Sequence, residues 1–148
     1  MPESTTSSVF PDVNVWLALT SAQHVHHFVA RDWLSEVAED SRFFFCRFTQ
    51  LGLLRLLTSE AVMGEDVMNQ MQAWDAYDAW AQHERVDFLD EPAALDGRFR
   101  AATRSRQPAT KDWADAYLAA FAGTAHLTLV TFDRAMRTKA RPVVLLSE

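Results

Sequence analysis

The sequence predicts a single α/β domain, a sandwich with a central, mostly parallel sheet. Three observations predict it. Short apolar runs alternate with segments of helical spacing along the whole chain, two of those runs each deliver an acid at their end (Asp12 and Asp133), and no repeat or interdomain linker interrupts the pattern. A length of 148 residues fits one domain, 1–148, with residues 1–8 read as a flexible polar lead.

Val9-Phe10 reads as a first strand that stops at Pro11-Asp12, and Val13 to Leu19 as a short helix. From His24 to Ala38, Val25, Phe28, Val29, Trp33, Leu34 and Val37 recur at helix spacing. Phe43 to Phe45 is a second strand, and Phe48 to Leu57 a helix with Leu51, Leu54 and Leu57 on one side. Gly64 punctuates the chain. Asp66 to His83 then reads as one long helix, with Val67, Met71, Trp74, Tyr77 and Ala81 facing one way. Val86 to Leu89 is a third strand, Glu91 to Thr103 a helix, and Ser105 to Thr110, with Pro108, a loop. Asp112 to Ala122 is a helix of small residues. Leu127 to Thr131 is the clearest strand, and Arg141 to Leu146 the last.

Composition narrows the function classes. Hydrophobic residues make up 49% of the chain, enough for a packed core. The single cysteine, Cys46, excludes an internal disulfide; beside Phe43-Phe44-Phe45 it reads as a buried thiol, which fits a reducing cytoplasm. No apolar run approaches the roughly 18 residues of a membrane span, and the polar start, Met1 to Ser8, reads as no signal peptide. The net charge of −6 counts against a nonspecific nucleic-acid binder, unless bound divalent cations change the sum.

The acids carry the chemistry. Two divalent ions held by carboxylates activate water and stabilise the leaving oxygen of a phosphodiester. Mg²⁺ takes hard oxygen ligands and keeps several waters, so three or four acids converging from distant parts of the chain suffice. Sites in parallel α/β sheets form beyond the carboxyl ends of the strands. Asp12 and Asp133 directly follow strands, and Asp115 lies at a helix start, sharing a face with Asp112 at i−3. The competing reading is that each acid only forms a turn or caps a helix, Asp112 after Thr110 above all. Spacing alone leaves both readings open.

Five blocks in order resemble the PIN-domain family, specifically its mycobacterial-type VapC toxins. They are Pro11-Asp12-Val13-Asn14-Val15-Trp16-Leu17-Ala18-Leu19; His24 to His27 with Ala30 to Leu34; Thr49-Gln50-Leu51-Gly52-Leu53-Leu54-Arg55-Leu56-Leu57-Thr58; Asp112 to Ala122; and Leu129-Val130-Thr131-Phe132-Asp133. The resemblance implies a PIN-like three-layer sandwich and a metal-dependent endoribonuclease, with Mg²⁺ or Mn²⁺ as cofactor. It further implies the toxin half of a toxin–antitoxin pair, with RNA as substrate and a cognate antitoxin protein as partner. Carried over by position, Asp12, Asp115 and Asp133 are the catalytic and metal-site acids, with Asp112 as a further candidate. Asn14, Gln50 and Thr131 support them. Gln50 stands where the family usually has Glu, which removes one negative charge and favours an alternative: a weakened scaffold that binds RNA or a protein without efficient cleavage.

Other features have plainer readings. His24, His26 and His27 lack the further Cys or His that zinc requires, so they read as a surface cluster at a helix start. Trp74, Tyr77 and Trp80 read as core or as a subunit contact. Arg98, Arg100, Arg104, Arg106 and Lys111 precede Asp115, and Arg134, Arg137, Lys139 and Arg141 follow Asp133. Of these, Arg104, Arg106, Lys111 and Arg134 are the candidates for RNA-backbone contacts. A homodimer through apolar helix faces is expected, and Leu51, Leu54, Trp33 and Trp16 are candidates for an apolar groove, unless they are core. The absence of a glycine-rich phosphate loop argues against a nucleotide-binding domain.

Overall fold

A computed structural model describes residues 7–147. Most of the polar lead, residues 1–6, lies outside them. Among the described residues, β1 (Ser8–Pro11), β2 (Arg42–Phe45), β3 (Val86–Phe88), β4 (Thr128–Thr131) and β5 (Val143–Leu145) form one sheet in the order β3-β2-β1-β4-β5. Every pairing is parallel, so the sheet is wholly rather than mostly parallel. Val9 pairs with Phe43 on one side and Thr128 on the other.

Alternation along the strands divides the core in two. Val9, Phe43, Phe45 and Val130 face a layer made by α1 (Val13–Thr20), α2 (His27–Glu36), α3 (Arg47–Leu57) and α5 (Gln70–Ala81). Phe10 and Leu129 face α6 (Leu95–Ala102) and α7 (Asp112–Ala125) on the other side. Trp16 stacks on Phe45 at 3.9 Å in the first layer, and Phe10 on Phe121 at 5.0 Å in the second. Strands buried on both faces read as continuous apolar runs, which is why Val9-Phe10 and Phe43 to Phe45 announce themselves. The result is a three-layer α/β sandwich. No helix among the described residues is long and apolar enough to cross a membrane.

Helices α1 and α3 approach closely at Gly52, where a β-carbon would come within 2.6 Å of the Val13 side chain. Only a residue without one allows this contact, and it fixes the segment carrying Gln50 against the segment that follows Asp12.

Several boundaries differ from the sequence expectation. The helix expected from Asp66 to His83 begins only at Gln70, as α5, and is preceded by a short helix α4 (Glu60–Met63) and a 3-10 turn at Gly64–Asp66. Gly64 takes a φ of 58°, which stops α4, and Asn69 caps α5 in a reciprocal box with Gln72. The buried face of α5 is Ala73 and Tyr77; Met71 is 78% exposed and Trp74 45%, so the expected face is rotated. Helix α2 starts at His27 because His24 to His26 form a turn, in which the His26 N–H donates to His24 Nδ1. Helix α6 starts at Leu95, after Pro92. Trp16 is core rather than groove, Trp33 and Leu54 are half-buried against that core, and Leu51 is exposed.

Candidate active site

The topology builds one acidic edge. Helices after β1 run outward on one side, and the chain then returns to place β4 against the opposite side of β1. The switch point therefore lies between the carboxyl ends of β1 and β4, where ligands gather in such sheets. Asp12 follows β1 there, and Asp133 lies two residues beyond β4. Helix α7 runs back toward the start of β4, so its first turn, with Asp112 and Asp115, lies at the same edge of the sheet.

Asp12 is buried and caps α1, accepting from the Val15 N–H at 3.1 Å. Its second carboxylate oxygen accepts from the Thr131 hydroxyl. Burial pushes its carboxyl up to about 6 from an ordinary 3.8, against the hydrogen bonds of Thr131 and of the Val15 and Asn14 backbones; the like charge of Asp133 adds to the rise. Asn14 is exposed and acts on Asp12 through its backbone. Thr131 is fully buried and joins both strand-end acids: its hydroxyl oxygen also accepts the Asp133 N–H at 3.0 Å. Asp133 in turn caps the 3-10 turn Arg134–Thr138, accepting from the Ala135 N–H at 2.9 Å. Asp12 and Asp133 are thus both helix caps at the ends of neighbouring strands.

Asp112 is not a cap; Lys111 holds that position, and Asp112 and Asp115 lie together in the first turn of α7, where the helix dipole favours negative charge. Lys139 bridges them, 3.2 Å from Asp115 Oδ2 and 3.6 Å from Asp112 Oδ1. Partial burial opposes the Lys139 ammonium, and the two carboxylates outweigh it, so it titrates above the ordinary lysine value. This internal cation is the feature that sequence reasoning missed. It lies 24 residues from Asp115, and only the packing of the 3-10 turn beside α7 brings it there.

Gln50 is buried on α3. Its side-chain oxygen accepts from Arg47. The phenol of Tyr77 is pushed up by burial, with a hydrogen bond to Gln50 pulling the other way. Gln50 therefore answers to Arg47 and Tyr77. Cys46, buried as expected, begins α3, and burial raises its thiol. His24, His26 and His27 are packed beside α1 and Phe132: His27 Nδ1 lies 2.7 Å from the Ala18 carbonyl, and His26 stacks on Phe132. Arg104, Arg106, Lys111 and Arg134 are exposed.

Among the described residues no three His, Cys, Asp or Glu side chains form a ready metal-holding group. The donor chemistry nevertheless suits a hard cation. Asp12 is a buried carboxylate answered by neutral donors and a neighbouring acid, so a positive charge beside it would relieve its burial. Mg²⁺ is commonly bound through one or two carboxylates with the remaining positions filled by water.

Comparison with known proteins gives a consistent picture. The sequence model of the PIN domain matches residues 9–142. Ribonuclease VapC41 of Mycobacterium tuberculosis is 43% identical over 128 residues, 84% of this chain and 88% of that protein. Ribonuclease VapC44 of the same organism is 29% identical over 138 residues, 88% of this chain and 89% of that protein. Among solved structures, the sarcin-ricin loop cleaving toxin VapC20 of M. tuberculosis superposes with a TM-score of 0.65 at 15% identity, over 88% of this chain and 94% of that one. VapBC2 from Rickettsia felis, solved bound to a DNA fragment from its promoter, gives 0.61 at 13% identity, over 94% and 98%. At these identities the solved structures bear on the fold.

Proposed function

The chain belongs to the PIN-domain family, and from that premise we propose that it is a VapC-type endoribonuclease, the toxin of a toxin–antitoxin pair. The observation that carries this reading is the 43% identity to a named ribonuclease along 84% of the chain. The chemistry at the edge of the sheet supports a divalent-metal mechanism. A bound Mg²⁺ or Mn²⁺ supplies Lewis acidity to the phosphodiester and a water of lowered pKa. Asp12 and Asp133 are the residues to hold it, with Asp115, and Asp112 beside it, completing the acidic wall. Thr131 fixes the direction of the Asp12 carboxylate, and the backbone of Asn14 helps keep it ionised. Arg104, Arg106, Lys111 and Arg134 are placed in sequence on either side of these acids to meet phosphates of a single-stranded RNA.

A cognate antitoxin protein is the proposed partner, by analogy with the VapBC complex among the structural neighbours. A homodimer is proposed through apolar surface on α3, where Phe48 and Leu51 are exposed. The site of action proposed is the cytoplasm. A second reading, a scaffold with little catalysis, is favoured by one observation: Gln50 gives no charge to the acids and is engaged by Arg47.

Cleavage of single-stranded RNA in Mg²⁺ or Mn²⁺, beside Asp12→Asn and Asp133→Asn, separates the two. Metal-dependent cleavage lost in both variants supports the nuclease. RNA binding without cleavage in the parent supports the scaffold, and full activity in either variant removes that acid from the site.

A further inference from the structure

Positive charge in this acidic chain is concentrated just before α7. Residues 98–111 carry Arg98, Arg100, Arg104, Arg106 and Lys111 and no acid, in a chain of net charge −6. Two of the five are engaged: Arg100 pairs with Asp96 at 2.8 Å, and the Arg98 guanidinium lies against Gly123 of α7. Arg104, Arg106 and Lys111 are exposed.

Trp113, just beyond this stretch and beside Arg104 in one hollow, has 54% of its surface exposed. An indole is among the largest apolar surfaces a chain can bury, and this one is left to water within the first turn of α7. It is braced rather than loose. Phe99 meets it edge-on at 6.1 Å, and Tyr117 meets Phe99 edge-on at 5.7 Å. Trp113 lines a hollow of about 450 Å³ together with Phe99, Thr103, Arg104 and the ion pair of Arg100 with Asp96. It also lines a smaller one, of about 90 Å³, with the polar side chains of Thr103, Ser105, Gln107 and Asp112. In sequence it falls between Asp112 and Asp115.

Unpaired bases are recognised by stacking on aromatic rings and by hydrogen bonds to their edges, while arginines hold the adjoining phosphates. All three components occur here: an open indole, polar side chains in the adjoining hollow, and cations at the rim. We propose that Trp113 is the stacking face of a nucleobase subsite, which takes one unpaired base of an RNA strand whose backbone follows Arg104 and its basic neighbours. The inference rests on the endoribonuclease reading and adds to it where the strand lies. The basic stretch 98–111, with Arg104 lining the larger hollow and Asp96 there answered by Arg100, favours RNA over a protein as the occupant.

The test uses the full chain. Binding of a fluorescein-labelled single-stranded 12-mer RNA is followed by anisotropy in EDTA, where metal-dependent cleavage is off; a matched 12-mer of abasic ribose phosphates is the control. Trp113→Ala should weaken binding of the RNA about tenfold, in the range known for loss of one base–aromatic stack, and Trp113→Phe by less than about threefold. On the abasic strand the parent and both variants should bind alike, and Arg104→Ala should weaken both probes. Unchanged binding by Trp113→Ala overturns the subsite, as does an equal loss on the abasic strand or an equal loss with Phe. Unchanged RNA binding with lost antitoxin binding also overturns it and reassigns the indole to the protein partner. Cleavage in Mn²⁺, measured on the same proteins, is the separate check: a parent that binds through Trp113 but never cuts keeps the subsite and refutes the nuclease.

Discussion

The Thr131 hydroxyl donates a hydrogen bond to Asp12 across 119 residues of sequence, while its oxygen accepts the Asp133 backbone N–H. One buried side chain thus ties together the ends of β1 and β4 and orients both strand-end acids. Thr131→Val keeps the shape and removes both bonds. It should destabilise the domain by about 1–3 kcal/mol, the usual consequence of orphaned buried polar groups, and raise the Mg²⁺ concentration needed for half-maximal cleavage. Chemical denaturation and metal titration of cleavage check the two halves.

Asp12 should weaken the metal-free fold at neutral pH. Its carboxyl is raised from 3.8 to about 6, so the folded state holds the proton more tightly than the unfolded chain. Stability from this group is greatest below pH 4, falls as the pH rises toward 6, and is flat above, a loss of about 3 kcal/mol at most. Asp12→Asn can keep the cap on α1 without the buried charge. It should melt higher than the parent at pH 7.5 in EDTA and about equally at pH 4, while losing cleavage. Calorimetry at the two pH values decides; a variant that melts lower at pH 7.5 contradicts the buried-charge account.

Metal binding should follow the same group with the opposite slope. A cation needs the Asp12 carboxylate, so affinity for Mn²⁺ should drop as the pH falls through about 6. Isothermal titration at pH 5.5 and 7.5 checks this, and equal affinity at both would remove Asp12 from the metal site.

Lys139 competes with any cation for Asp115 and Asp112, lying 3.2 and 3.6 Å from them. Lys139→Met should therefore tighten Mn²⁺ binding severalfold, and Lys139→Arg should leave it near the parent value. Loss of binding in Lys139→Met would mean that the ammonium organises the acids instead of blocking them.

Gln50→Glu adds the charge that the sequence resemblance leads one to expect at this position. Half-maximal Mg²⁺ for cleavage should fall. Arg47, which already donates to the Gln50 oxygen, is the competitor for that charge. An unchanged metal requirement would show that Arg47 keeps the carboxylate and that position 50 lies outside the metal site.

The central strands β1 and β4 are readable because they are buried on both faces. Phe43 to Phe45 is an unbroken apolar run and Leu129-Val130 lies between two β-branched threonines, whereas the equally apolar run Val15 to Leu19 is a helix. The start of α5 was misread although its signal was present: Asn69 and Gln72 have capping-box spacing, but the apolar periodicity through Val67 concealed it. The buried face of α5 was misplaced because exposed Met71 and Trp74 carry the same hydrophobic signal as buried Tyr77. Asp12, Asp115 and Asp133 stood out through their positions at element ends. Lys139 did not, since a lysine after a strand has no local mark, and its partners come from another element.

Strand order has a consequence for the chain as it is made. Asp12 emerges early from the ribosome, while its partner Thr131 and the neighbouring Asp133 follow more than a hundred residues later, and β1 cannot hold them until β4 has docked beside it. A nascent chain that stops short of β4 can hold β1, β2 and β3 together but lacks both Thr131 and Asp133. If the completed protein cuts RNA, translation itself keeps it harmless to its own message until synthesis has passed the last of these acids.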